Sequence, residues 1–457
     1  MKLRHAPLSL LVCLLGLSVH LGLSPCSAGD TDWPQWRGPN RDGHAAKQDL
    51  MKSWPAEGPE IKWQAENLGR GYSTAAVVDG RLYTLGADAT DCFAICLDAA
   101  TGESVWKTNV SRASNGDDYN HGWGGGPRST PTIDGDQVFV LSDIGTLASL
   151  ERTTGKVQWQ VDIVQSFGGK IPMWGYSESL LVDGDRVVVT PGESNFMVAL
   201  DRKDGSKVWQ SKGSDAPAHY VSPIKGSVGE TSFYVTASKP GLLAFDCKSG
   251  DLVFSDGSTG NGVAVIPTPI ISGNSLYHTS DYGSGNTLLS LTHSGKSQSG
   301  AGEGGAGEGS AGQGSAGQGG VDVTTVYHLS GKTMQNHHGG VVLVDGVIYG
   351  FTKANGGVWM AQDLATGETL WEEKTGRDGS GSIAYADGRL YCYYDKDGSL
   401  FLVDPNRKGW TLAGQLKLPQ QTNLPRDKGA IWAHPIIADG MLIIRDQDLM
   451  FAYNIAE

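Results

Sequence analysis

Short apolar runs separated by tight-turn residues recur along the chain from about residue 70 to its last residues. Val77-Val78 and Leu82-Tyr83, for example, lie on either side of Asp79-Gly80, and similar runs lie on either side of Asp134-Gly135. An Asp-Gly pair between apolar runs is a strong hairpin signal, because both residues tolerate the positive φ that a two-residue turn requires. The pattern therefore predicts a chain built almost entirely of short antiparallel strands.

A second turn with a fixed spacing follows many of these hairpins. An acidic residue is followed by Thr, Ser or Asp three positions later, by Gly four positions later and by an aromatic residue eight positions later. The acid can accept backbone N–H bonds from the turn, and Gly can take positive φ. The five copies start at Asp98, Glu151, Asp201, Asp246 and Asp363, and their aromatic residues are Trp106, Trp159, Trp209, Phe254 and Trp371. Such a recurring motif indicates a repeat architecture, in which we expect the aromatic residue to be structural.

One hairpin plus one such turn makes four short antiparallel strands, which is the content of one propeller blade. Eight units of this kind lie at about residues 70–110, 127–163, 174–213, 219–257, 264–330, 337–375, 379–419 and 431–456. The eighth unit lacks a fourth strand, whereas residues 59–64 resemble a fourth strand without a hairpin of its own. The expected fold class is therefore all-β: an eight-bladed β-propeller of four-stranded antiparallel blades over residues 59–457, with its ring closed by the N-terminal strand.

The N-terminal segment has the features of an export signal. Residues 1–28 have a positive start at Lys2 and Arg4, an apolar run over residues 8–23 and small residues before position 29. The run is short for a bilayer span, so we expect a cleaved signal peptide, no transmembrane segment in the mature chain, and a periplasmic or extracellular location. An uncleaved anchor and a lipid on Cys26 are the alternatives.

Two further segments interrupt the repeat pattern. Residues 29–58 carry Trp33-Pro34-Gln35-Trp36, whose Trp and Pro residues suggest an N-terminal arm packed on the main body. Residues 296–320 contain four Ala/Gly pentapeptides with a polar residue at their centre. This low-complexity insert has too little apolar surface to form a core, so we expect a flexible loop.

The net charge narrows the possible binding partners, and the cysteine spacing narrows the possible disulfides. The formal net charge of −13 disfavours nucleic acid and anionic membrane surfaces as partners. Cys92 and Cys96 would lie about 13 Å apart on one strand, too far for a disulfide. We expect Cys92, Cys96, Cys247 and Cys392 to be buried thiols, although their spacing leaves other disulfide pairings open.

The acid-Thr-Gly-Trp repeat resembles the pyrroloquinoline quinone (PQQ) repeat of quinoprotein-like propellers, and the residues that start at Trp33 resemble the start of secreted bacterial members. The resemblance covers residues 32–456 and implies the same fold. The family includes PQQ-dependent dehydrogenases and non-enzymatic members such as the outer-membrane assembly lipoprotein BamB, so the fold leaves the activity open. The PQQ alcohol dehydrogenases carry a disulfide between adjacent cysteines and are longer, and this chain has no adjacent cysteine pair. We therefore expect a non-catalytic binding or scaffold protein without a cofactor, with a PQQ- and Ca²⁺-dependent oxidoreductase as the alternative.

A ligand site would lie where the segments that lead into the innermost strands converge, at one mouth of the central channel. These lead-in segments are rich in aromatic residues, His and Arg, which suit sugar rings, planar groups or carboxylates. The candidate ligand-binding residues are Arg70, Tyr72, His121, Trp123, Arg128, Trp174, Tyr176, His219, Tyr220, His337, His338, Trp432 and His434. Packed lead-in residues with satisfied hydrogen bonds are the alternative. We expect a monomer whose partner is a protein, a carbohydrate or another small molecule.

No catalytic or metal site is expected. His337 and His338 are adjacent, so on a strand they would face opposite sides. Residues 395–398 resemble the start of a calcium loop but lack its later Glu, and a hairpin turn explains them better. The chain has no Gly-x-Ser-x-Gly elbow, no His-Glu-x-x-His motif and no complete phosphate-binding loop.

Overall fold

The computed structural model describes residues 31–294, 320–426 and 428–457. The predicted signal peptide (1–28) and all but the last residue of the predicted insert (296–320) lie outside the described residues. Within them the chain forms eight four-stranded antiparallel sheets arranged as a β-propeller, which confirms the predicted fold class.

The strands follow one another with little else between them. The first half of the chain contains β1 (Ile61–Ala65), β2 (Ala76–Val78), β3 (Arg81–Ala87), β4 (Asp91–Asp98), β5 (Ser104–Arg112), β6 (Thr132–Asp134), β7 (Gln137–Leu141), β8 (Thr146–Glu151), β9 (Val157–Asp162), β10 (Leu181–Asp183), β11 (Arg186–Val189), β12 (Val198–Asp201), β13 (Lys207–Gln210), β14 (Ile224–Val228), β15 (Thr231–Ser238), β16 (Gly241–Asp246) and β17 (Leu252–Asp256). The second half contains β18 (Ile270–Ser272), β19 (Ser275–Ser280), β20 (Gly285–His293), β21 (Val321–Leu329), β22 (Val341–Val344), β23 (Val347–Thr352), β24 (Val358–Asp363), β25 (Thr369–Glu373), β26 (Gly381–Ala386), β27 (Arg389–Tyr394), β28 (Ser399–Val403), β29 (Leu412–Lys417), β30 (Ile436–Ala438), β31 (Met441–Asp446) and β32 (Leu449–Asn454).

Helix is confined to short segments of the described residues. They are α1 (Ile163–Phe167), which follows β9, and two 3-10 turns at His121–Trp123 and Ala354–Gly356. In the part of the chain that the structure describes, no helix is long and apolar enough to cross a membrane.

Blades one to seven each consist of four consecutive strands, starting at β2, and the eighth sheet has the order β1-β32-β31-β30. In that sheet Trp63 pairs with Ala452 and Ala65 pairs with Met450 in an antiparallel ladder. The N-terminal strand therefore closes the ring, as predicted, and covers the edge that β32 would otherwise expose.

A buried arginine also joins the eighth blade to the first. Arg445 on β31 is 1% exposed. Its guanidinium donates to Ser73 O at 3.0 Å and to Thr84 Oγ1 at 2.6 Å in blade one, and its Nε donates to Gln447 O at 2.7 Å in its own blade. Burial lowers the pKa of Arg445 to about 10, so it stays charged at neutral pH.

The repeated turn-and-aromatic motif docks blades on their neighbours. Trp209 Nε1, for example, donates to Cys247 O at 3.1 Å, and a Cβ on Gly250 would lie only 2.5 Å from Trp209 Cε3. Glycine is therefore required in the turn for space as well as for its positive φ of 72°. Equivalent bonds run from Trp63 to Ala99 O, from Trp106 to Arg152 O, from Trp159 to Arg202 O and from Trp371 to Asn406 O.

The N-terminal arm lies inside the propeller, against the innermost strands. The backbone of Trp33 pairs with Val77 in blade one, and Pro34 O accepts from Ile133 N at 2.8 Å in blade two. The other contacts reach blade three (Arg41 to Leu180 O), blade five (Trp36 to Thr268), blade six (Arg37 to Val341 O), blade seven (Ala45 to Tyr385 O) and blade eight (Gln48 to Ile437 O). Since these partners lie on seven different blades, the arm occupies the central channel.

The two arginines of this arm are buried but stay charged. Arg37 and Arg41 are 4% and 3% exposed. Burial lowers the pKa of Arg37 to about 10 and the pKa of Arg41 to about 9, and both still remain protonated at neutral pH. Their donors reach backbone carbonyls of two different blades and of the arm itself, so the arm is held by charge-assisted bonds.

Candidate ligand site at the channel mouth

A cavity of about 340 Å³ lies at the mouth of the channel, where the lead-in segments meet. Nine of the thirteen predicted site residues line it: Tyr72, Trp123, Arg128, Trp174, Tyr220, His337, His338, Trp432 and His434. They precede the first strands of blades one, two, three, four, six and eight. The structure thus brings together residues that are up to 362 positions apart between Tyr72 and His434. That these residues bind a ligand stays a prediction.

The other four predicted residues lie outside the cavity lining. Tyr176 is 1% exposed, and its hydroxyl donates to Pro191 O at 2.9 Å, so it is a core residue. Arg70 donates to Ser114 O at 2.9 Å, and His121 packs on Tyr119 at 4.4 Å between ring centroids. His219 Nδ1 accepts from Val265 N at 3.2 Å. These four residues are packed within the lead-in segments, as the alternative interpretation expects.

Sequence reasoning missed seven lining residues. They are Trp36, Thr74, Ser177, Val263, Ala264, Ile266 and Tyr282. Blade five contributes no predicted residue because its lead-in segment is apolar. Tyr282 lies on the turn between β19 and β20, and this turn is at the same mouth of the channel. Trp36 comes from the arm inside the channel and forms the floor of the cavity. In the sequence, only the Trp-rich composition of the arm indicated that it could form part of the cavity.

Aromatic rings run almost continuously around the cavity. The Arg128 guanidinium lies 4.7 Å from the centre of the Tyr72 ring, and Tyr72 is 5.1 Å from Trp432. His434 connects this wall to the floor, with its ring centroid 4.5 Å from that of Trp36. On the opposite wall Trp174 lies 5.8 Å from Tyr220. Rings at these separations form rigid apolar faces that lose little conformational entropy when a flat ligand binds.

The rim of the cavity exposes large aromatic surface. Trp123 and Tyr282 are 41% and 45% exposed. Lys428, itself exposed, places its ammonium 5.9 Å from the Trp123 ring centre. Exposed aromatic side chains around a concave cavity are typical of a ligand site, because a core would cover them.

Three histidines in the wall are neutral at pH 7. Burial lowers the pKa of His337 to about 4 and that of His434 to about 3. Burial, together with the neighbouring His337 and His434, lowers the pKa of His338 well below its usual value. Neutral imidazoles each keep one donor and one acceptor nitrogen, so these residues can form directional hydrogen bonds without adding charge.

Asp395 of blade seven lies behind this wall. Its Oδ1 accepts from Ser380 N at 2.7 Å, and its Oδ2 accepts from Trp432 Nε1 at 3.1 Å. Burial raises the pKa of Asp395 to about 6, so it is mostly ionised at neutral pH. Its role here is to fix the Trp432 ring in the wall. As predicted, residues 395–398 form the turn between β27 and β28.

Among the described residues, no cluster of three or more His, Cys, Asp or Glu side chains could hold a metal ion. The described cysteines, Cys92, Cys96, Cys247 and Cys392, are buried free thiols. Burial raises the pKa of each of them, which makes them poor nucleophiles.

Comparison with known proteins places this geometry in a family. The family model described as outer membrane protein assembly factor BamB matches residues 52–166 and 91–359, which together span more than half of the chain. No curated protein sequence matches the chain significantly.

Solved structures show the same fold at low sequence identity. BamB from Moraxella catarrhalis has 15% identity and a TM-score of 0.52, over 81% of this chain and 96% of that one. Quinohemoprotein alcohol dehydrogenase ADHIIG from Pseudomonas putida HK5 has 11% identity and a TM-score of 0.61, over 93% and 80%. The quinohemoprotein alcohol dehydrogenase from Comamonas testosteroni has 13% identity and a TM-score of 0.55, over 93% and 81%. The eight-bladed ring, its blade-docking motif and the family match together show that this chain belongs to the BamB-like family of PQQ-repeat β-propellers.

Proposed function

We propose that this protein is a non-catalytic binding protein that holds a small ring-shaped ligand at the mouth of its channel. One observation carries the proposal: seven blades and the N-terminal arm contribute to one cavity that is walled by aromatic rings and histidines. Blade-to-blade packing uses a different set of aromatic residues, on the outer strands. The chemistry at the mouth is therefore available for a ligand.

The proposal includes export to the periplasm or the cell exterior. It rests on the positive start and apolar run of residues 1–28. A ligand-binding propeller in that location would meet small molecules or glycans outside the cytoplasm.

The alternative, a PQQ-dependent oxidoreductase, finds little support in the residues around the cavity. Ca²⁺ takes six to eight oxygen ligands, among which carboxylates are usual. No Asp or Glu is among the lining residues that the structure describes, and the described cysteines lie within the blades. The donor set around the cavity therefore does not fit a calcium-bound quinone.

The site is tested with two cavity variants, Trp432→Ala and Trp174→Ala, and a matched control, Met173→Ala. Met173 is 63% exposed and lies next to Trp174 but outside the cavity lining. The probe is an immobilised panel of monosaccharides and disaccharides. We expect wild type and the control to bind the same members, and each tryptophan variant to lose about 1 kcal/mol or more of binding free energy.

Three outcomes would contradict the proposal. The wild-type protein could bind no member of the panel, or the two tryptophan variants could bind as tightly as wild type. Alternatively, both variants could lose several kcal/mol of unfolding free energy in urea, in which case the two residues are core residues and not a ligand site.

A further inference from the structure

Arg128 carries the only formal positive charge in the cavity lining at neutral pH, and no carboxylate forms an ion pair with it among the described residues. Its Nε donates to Trp174 O at 2.9 Å and its Nη2 donates to Gly124 O at 2.5 Å. These bonds to neutral carbonyls fix the position of the guanidinium but leave its charge uncompensated. An anionic ligand group would supply the missing partner.

Two further side-chain nitrogens in the lining are buried without a hydrogen-bond partner, Trp174 Nε1 and His338 Nε2. His338 is 8% exposed. Buried polar atoms are usually paired, so an unpaired donor in the lining is available to a ligand where no protein group faces it. The indole N–H can only donate.

The surroundings of His338 decide the role of its Nε2. Tyr282 Oη lies 3.1 Å from His337 Nε2, and His337 Nδ1 lies 3.2 Å from His338 Nδ1. If Tyr282 donates to His337, then His337 Nδ1–H donates to His338 Nδ1, and the proton of His338 is on Nε2. The ionised Asp395 Oδ2, 3.9 Å from Nε2, favours that tautomer electrostatically. The Nε2–H of His338 therefore faces Asp395 behind the wall and is not available to a ligand in the cavity.

Among the described residues, the cavity lining thus offers a cation, one unpaired N–H donor and no carboxylate acceptor, between aromatic faces. A complementary ligand has a carboxylate for Arg128, a ring or hydroxyl oxygen that accepts from Trp174, and an apolar face for the aromatic walls. Sugar acids combine these features, because a pyranose ring carries C–H groups on its faces and oxygens around its edge. A flat aromatic acid has the faces and the carboxylate but few oxygens on its edge.

We propose that the cavity binds an acidic sugar, a hexuronate or an oligosaccharide that ends in one, with its carboxylate on Arg128. This inference rests on the proposed function and adds the ligand class. Trp174 donates to a sugar oxygen, and the Tyr72, Trp432 and Trp36 rings pack against the pyranose.

The proposal is tested by calorimetric titration of the full-length chain with D-glucuronate, D-galacturonate and their disaccharides. D-glucose, D-galactose and benzoate are the comparison ligands. The variants are Arg128→Gln and Trp174→Phe, which keeps an aromatic ring but loses the N–H, and the matched control is Arg81→Gln. Arg81 pairs with Asp98 at the surface, outside the cavity lining.

We expect at least one uronate to bind about tenfold or more tightly than the matching neutral sugar and benzoate, with an affinity that falls as salt is raised. Arg128→Gln should remove that preference, Trp174→Phe should weaken uronate binding, and Arg81→Gln should match wild type. Neutral sugars that bind as tightly as uronates, with no effect of Arg128→Gln, would overturn the acidic ligand but leave the binding site in place. Benzoate that binds as tightly as the uronates would overturn the sugar, and an absence of any uronate binding would overturn the inference outright.

Discussion

Replacing residues 59–66 with a Gly-Ser segment of the same length is expected to open the propeller ring and lower the free energy of unfolding by about 5 kcal/mol or more. Loss of a buried Trp alone costs about 3–5 kcal/mol, and Trp63 is 7% exposed in this strand. The replacement also weakens the pairing of β1 with β32, whose freed edge can pair with another chain. We therefore expect aggregation as well as destabilisation.

The measurement is urea unfolding combined with light scattering after gel filtration. The control is the double variant Lys62→Ser and Gln64→Ser, which changes only exposed residues of the same strand and should stay within about 1 kcal/mol of wild type. A Gly-Ser variant that remains monomeric with unchanged stability would show that β1 does not hold the ring closed.

Trp209→Ala is expected to lower the free energy of unfolding by about 3–5 kcal/mol without changing any ligand affinity of the folded fraction. Trp209 is 8% exposed, packs against Gly250 of the next blade and donates to Cys247 O at 3.1 Å. The alanine variant would leave a cavity between the third and fourth blades and remove the donor from a backbone carbonyl.

Two companion variants separate these contributions. Trp209→Phe retains most of the ring but loses the N–H, so its cost should be smaller than that of the alanine variant. Val208→Ala changes the preceding residue, which is 46% exposed, and should be close to neutral. A Trp209→Ala protein as stable as wild type would contradict a docking role for the repeated aromatic residue.

The ring could be predicted because its determinants are local. Asp79-Gly80 takes positive φ at both residues, 49° and 67°, as its sequence indicates for a hairpin turn. Asp98 Oδ1 accepts from Ala100 N at 3.0 Å and from Thr101 N at 3.2 Å, as expected for the acid of the repeat. Turn chemistry of this kind acts over a few residues, so the unit and its number of copies are evident from spacing alone.

The path of the N-terminal arm could not be predicted, because it depends on contacts with distant parts of the chain. Trp36 bonds to Thr268 and Arg37 bonds to Val341 O, each more than 200 positions away. Packing on the main body was expected, but nothing in the sequence of the arm distinguishes the outer surface from the channel. The same limit explains why the cavity floor was missed.

The candidate site was predicted in location but not in every member. Residues such as Trp174 and Tyr176 are close neighbours in one lead-in segment, yet Trp174 lines the cavity and the Tyr176 hydroxyl bonds to Pro191 O in the core. Residue type alone does not show whether a side chain points into the cavity or into the core, because lead-in segments are irregular and have no fixed side-chain period. The sequence therefore indicates the mouth of the channel, and only three-dimensional packing separates lining residues from supports.

The most direct test of a non-catalytic binding role is to incubate the purified chain with PQQ and Ca²⁺, pass it through gel filtration, and record its absorbance and its reduction of a dye in the presence of primary alcohols. We expect the quinone to separate from the protein, and no dye to be reduced, because the described residues of the cavity lining offer no carboxylate to a calcium ion. A quinone chromophore that elutes with the protein, and reduces the dye when alcohol is added, would contradict this account and make the protein a quinoprotein oxidoreductase.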